Sequence, residues 1–166
     1  MNRRRWGAAA GVLAVVLVMA GVYLFSAQSG SSSSGLSQGA LELIRQQLPP
    51  LYRLLARGGR PEYALRKLAH LSEYAVLGLA VYVLLRRRLA PGAAAVTALV
   101  LCAGFALTDE WHQLYVPGRD GNIRDVFIDT VGSGGGIGIG LLGTRARWLV
   151  RRYFPGKKAE KKDGSI

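Results

Sequence analysis

Between Thr108 and Gly132 the chain reads TDEWHQLYVPGRDGNIRDVFIDTVG, gathering five carboxylates, one histidine, one glutamine and two arginines. Lys67, His70, Glu73 and Tyr74 form a second polar group earlier in the chain, and Gln28 precedes both. Residues of these types can move protons, hold a cation or grip an anion. His70 and His112 are the candidate catalytic acid/base groups, because imidazole titrates near neutral pH. A histidine such as His70 equally well pairs with a facing carboxylate and holds two helices in register. His112 and Asp109 stand at i, i+3, suited to a metal pair or a ligand-orienting pair. Arg119 follows Pro117-Gly118, and its fork of donors suits a phosphate or carboxylate; an ion pair to Asp109 or Asp125 would be its structural use. A divalent cation fits so dense a cluster of Asp, Glu and His, although no motif fixes ligand number or geometry and none requires a cofactor.

Spacing groups these residues further. Lys67, His70 and Tyr74 follow i, i+3, i+7 and so share one helix face over about 10 Å. Asp125 and Asp129 are four apart, and Gly132, Gly136 and Gly140 continue nearly the same stripe, where small residues let helix backbones approach. The remaining pocket candidates are Gln28, Glu73, Glu110 and Gln113. Six acids (Glu73, Asp109, Glu110, Asp120, Asp125, Asp129) meet only three fixed bases (Lys67, Arg119, Arg124) and two histidines. An ionisable group costs about 2.5–3.5 kcal/mol at the centre of a membrane helix on insertion scales. The surplus carboxyls must therefore be exposed, protonated or bound to a cation.

The elements that must position them are apolar. Half of the 166 residues are hydrophobic, and the mean hydropathy is positive at +0.20. Four runs are long enough to span a bilayer core of about 30 Å: residues 6–25, 68–85, 90–109 and 125–143. The first exceeds the apolar core of a secretory signal and ends on bulky Phe25, so it reads as an anchor. The expected fold is all-α: a four-helix transmembrane bundle within a single domain over residues 1–152. Residues 26–66 form a loop with a Ser-rich linker (Ser29–Ser37) and two short amphipathic helices broken at Pro49-Pro50, lying on the membrane face or capping the bundle. Residues 153–166 make a basic tail.

The formal charge of +12 is arranged by position. Fourteen of the 22 Lys and Arg residues, at 3–5, 86–88 and from 145 onward, fall on one side if the four spans alternate. The positive-inside rule then places both termini in the cytoplasm and the polar cluster outside the plasma membrane. The charge serves topology, with membrane lipids as partners and no nucleic acid. The one cysteine, Cys102, lies within an apolar run and reads as a core residue. Tyr74, Trp111 and Tyr115 read as packing residues or interface anchors.

In these polar stretches the chain resembles the VanZ-like family of integral membrane proteins. The resemblance rests on FSAQS at 25–29, KLAHLSEYAVLGLAVY at 67–82 and DEWHQLYVPGRDGNIRDVFIDTVG at 109–132. It implies a four-helix membrane protein of the cell envelope, with a link to resistance to the glycopeptide teicoplanin. By match it carries over Lys67, His70, Tyr74, Asp109, Glu110, His112, Gln113, Arg119, Asp125, Asp129 and Gly132. Asp129 departs from the asparagine common in the family and adds a negative charge. Three readings compete: a protein that recognises a lipid-linked or peptidoglycan-related ligand, a membrane-embedded hydrolase or transferase acting on one, and a small carrier. The first asks least of the residues, since Ser72 and Thr108 are isolated hydroxyls and the inner halves of the spans offer no polar path.

Overall fold

The computed structural model describes residues 3–153, with side chains from Trp6 onward. These residues form six helices: α1 (Arg3–Ser26), α2 (Gly30–Gln47), α3 (Pro49–Ala56), α4 (Pro61–Leu85), α5 (Pro91–Gln113) and α6 (Ile123–Tyr153). Each start has a local cause. Pro49, Pro61 and Pro91 occupy the first helical position, where a missing N–H costs nothing. Asn122 opens α6, its side-chain oxygen accepting from the Arg124 N–H at 3.0 Å.

α1, α4, α5 and α6 are each long and apolar enough to cross a membrane. Their outer faces expose Leu17, Leu24, Val96, Val100 and Leu142, all more than 60 % accessible. So much bare hydrocarbon is stable against lipid tails and not against water. The molecule is an all-α membrane protein, as the composition predicts.

The core lies between α4, α5 and α6. Along α5, Ala94, Ala98, Cys102 and Ala106 are almost completely buried at four-residue intervals. This small-residue seam continues directly into Asp109 and Gln113, also buried, so the inward face turns from apolar to polar without a break. On α6, Gly132 and Gly136 meet the backbone carbonyls of Leu71 and Ala75 on α4, and a Cβ at either would overlap them. Gly140 meets the Tyr82 ring. α1 is peripheral, with Val22 and Ser26 its buried residues.

Helix ends differ from the sequence expectation, and α4 begins at Pro61, seven residues before the expected 68. α5 continues past residue 109 to Gln113, and α6 runs on past 143 to Tyr153. The Ser-rich stretch is not a linker but the first half of α2. Ser29 caps it by accepting the Ser32 N–H at 3.3 Å, and Ser33, Ser37 and Leu41 form a buried stripe on a helix that lies against α4. Serine's weak helix propensity is overridden because small side chains let α2 lie close to its neighbour. The tail from residue 154 lies outside the described residues.

Candidate functional site

The polar residues of four helices meet at one end of the bundle. At the end of α1, Ser26 is buried and donates to Asp109 Oδ2 of α5 at 2.8 Å. Gln113, one turn further along α5, donates to the same oxygen at 3.2 Å and to Glu110 Oε1 at 3.4 Å. Glu110 Oε2 accepts the backbone N–H of Asn122 at 2.8 Å, which ties the 114–122 loop to α5. Lys67 of α4 forms an ion pair with Asp125 of α6. One turn deeper, His70 Nδ1 faces Asp129 Oδ1 at 3.6 Å, too far for a hydrogen bond. Tyr74, a further turn along, is fully buried and packs on Phe105 with ring centroids 6.1 Å apart, so it is a packing residue and not an interface anchor. Trp111 and Tyr115 remain exposed.

Of the two uses open to Arg119, the ion pair with Asp109 or Asp125 is not formed among the described residues. Its Nε donates to the Gln28 carbonyl at 3.2 Å, and its Nη2 donates to the Phe25 carbonyl at 3.3 Å and to Ser33 Oγ at 3.2 Å. The guanidinium thereby closes the exposed carbonyls at the end of α1 and ties them to α2. Gly118 adopts a left-handed conformation (φ 72°), which turns the loop so that Arg119 points inward. Gly30 sits directly against the Gly118 carbonyl, with its N–H donating to Pro117 O at 3.0 Å. Burial, and next the neighbouring Arg66, push the Arg119 pKa below its usual value, yet a guanidinium stays charged at neutral pH.

His112 also departs from expectation. Its ring stacks on Tyr23 of α1, with centroids 4.5 Å apart, and no ion pair within 4.0 Å joins it to Asp109 among the described residues. Asp120 and Arg124 are exposed and stand apart from the cluster. Ser72 and Thr108 spend their hydroxyls on carbonyls of their own helices, Ala69 at 2.8 Å and Phe105 at 2.7 Å.

A cavity of about 290 Å³ opens beside the cluster, between the end of α1, α2 and α4. Gln28, His70, Glu73, Arg66 and Arg119 supply its polar wall; Phe25, Leu36, Leu65 and Ala69 supply the apolar one. Lys67, Asp109, Glu110, Gln113, Asp125 and Asp129 do not line it; they form the polar core behind it. Sequence reading passed over Ser33, Ser37 and Arg66, which lie in a stretch resembling a linker and in an ordinary basic helix start. The signal available was the four-residue spacing of Ser33, Ser37 and Leu41.

A family model described as VanZ/LLP1 matches residues 11–144, a span that includes all of the polar cluster. No curated protein and no solved structure matches the chain.

Proposed function

The chain belongs to the VanZ/LLP1 family, and from that premise we propose that it is a cell-envelope protein whose polar end recognises a lipid-linked or peptidoglycan-related ligand. The observation that carries this reading is the two-sided wall of the cavity. Arg66 and the remaining Nη1 of Arg119 suit an anionic head, such as a phosphate, while Phe25, Leu36 and Leu65 suit hydrocarbon. The arginines at 86–88, 145, 147, 151 and 152 gather toward the opposite end, which the positive-inside rule assigns to the cytoplasm. The polar end then faces outward, where wall precursors are exposed. A contribution to teicoplanin resistance would follow if the bound ligand were a precursor that the glycopeptide also reaches. Binding is favoured over hydrolysis or group transfer, because Ser72 and Thr108 are committed to backbone carbonyls and Ser26 faces a carboxylate in place of a histidine base.

The test is binding of a labelled lipid-linked wall precursor to the purified full chain in detergent. Arg66→Ala and Arg119→Ala should each weaken binding at least about tenfold, a loss equivalent to about 1.4 kcal/mol. Arg147→Ala, at the other end, should leave it unchanged. Equal loss in all three, or none in the first two, would reject the assigned cavity; conversion of the precursor to product would favour the enzyme.

A further inference from the structure

Behind the cavity, His70 of α4, Asp109 of α5 and Asp129 of α6 each offer one ligand atom, all within 4.8 Å of one another. We propose that these three side chains hold a divalent transition metal ion, of the zinc type, between α4, α5 and α6 at the polar end of the bundle.

Bonding at this point is unmet. Asp129 is fully buried, and neither of its carboxylate oxygens has a protein hydrogen-bond partner. Asp109 is 2 % exposed; Ser26 and Gln113 satisfy its Oδ2, whereas Oδ1 is left over. His70 Nδ1 is buried and likewise unpartnered. A buried carboxylate without a partner costs several kcal/mol, so three inward-pointing donors left unmet around one point call for a common partner.

Charge gives the same answer. Among the described residues no Lys or Arg forms an ion pair within 4.0 Å with Asp109 or Asp129; Arg66 lines the cavity in front of them. Lys67 is paired with Asp125, and Arg119 is directed at the carbonyls of Phe25 and Gln28. Two carboxylates therefore share a buried site with no ion-paired counter-charge among the described residues. Protonating Asp129 would remove one charge and satisfy at most one of the two neighbouring acceptors, Asp109 Oδ1 and His70 Nδ1, leaving the other unmet. A divalent ion supplies both the charge and the bonds.

Geometry and ligand type select the ion. Ligand atoms bound to zinc at about 2.0–2.2 Å in a tetrahedral site lie roughly 3.3 Å apart. The 3.6 Å between His70 Nδ1 and Asp129 Oδ1 is close to that edge. One imidazole and two carboxylates suit zinc or manganese, whereas calcium prefers six to eight oxygens and magnesium retains most of its waters. Three protein ligands leave one position open, and His70 also lines the cavity. The open position would then face an incoming anionic oxygen, a point that rests on the binding reading; the metal site itself does not.

The test uses the full chain purified without chelator and on a tag that holds no metal. Elemental analysis should find close to one equivalent of zinc or manganese per chain. Asp129→Asn and Asp109→Asn should lose it, and Asp125→Asn, whose carboxylate pairs with Lys67, should retain it. After chelation, added zinc should raise the melting temperature of the wild type by several degrees and leave Asp129→Asn unmoved, because an ion that binds only the folded state stabilises it by mass action. The wild-type titration decides alone if the variants do not accumulate. Metal-free protein whose melting zinc and manganese do not shift would overturn the site, as would equal metal loss in Asp125→Asn. Both readouts proceed without the envelope ligand, so their failure is distinct from failure of the binding reading.

Discussion

At one end of the bundle Asp109, Glu110 and Asp129 are buried and Lys67 and Asp125 largely so; at the other, Arg87, Arg145, Arg147 and Arg151 are exposed. The exposed end also has the larger hollow, about 900 Å³ against about 290 Å³, lined by Tyr82, Leu141, Leu142 and Trp148 with arginines around it. Size alone would favour it as the site. Yet apart from the partly buried Arg86, which donates to the Leu89 carbonyl, its guanidiniums are on exposed residues and carry ordinary surface charge, and its walls are apolar side chains that lipid can cover. Charges removed from water must find partners, and their arrangement is correspondingly constrained. Volume marks where helices splay, whereas buried charge marks where the chain commits side chains to one geometry.

That contrast can be broken in three ways, and the largest effect concerns backbone approach. Gly132→Leu should abolish recovery of monodisperse protein, because its Cβ would enter the Leu71 carbonyl. Gly143→Leu, toward the arginine end and with open space around its Cβ, should purify at the wild-type level. Next comes the ion pair. Lys67→Met leaves Asp125 uncompensated and should destabilise by about 3–5 kcal/mol, most of it recovered by adding Asp125→Leu. Arg147→Met should stay within about 0.5 kcal/mol of wild type. Reversible unfolding in mixed micelles measures both, and equal losses at the two ends would erase the distinction. Ser26→Ala should give the smallest effect of the three at the polar end, about 1–3 kcal/mol, by leaving Asp109 Oδ2 short of a donor.

Much of this end was legible in the sequence. Lys67, His70 and Tyr74 do share a face of α4, and Gly132, Gly136 and Gly140 do face that helix, because helical periodicity is local and nothing in the tertiary structure overrides it. The Pro49-Pro50 break is also where α3 begins. The serines of α2 were illegible for the opposite reason. Their propensity argues for a linker, and only the surface of α4 and the donors of Arg119 make a helix there favourable.

Sequence by itself determined the four apolar helices and gave each its polar end, since length, hydropathy and residue spacing are properties of single segments. Tertiary structure decided the partners: Asp125 to Lys67, Asp109 to Ser26, Arg119 to carbonyls in place of carboxylates, and Asp129 left facing His70. Pairing depends on how far each helix is rotated and shifted against its neighbours. A rotation of about 100° or a shift of about 1.5 Å, one residue's worth of either, is invisible in a segment's periodicity, yet it determines which charge meets which.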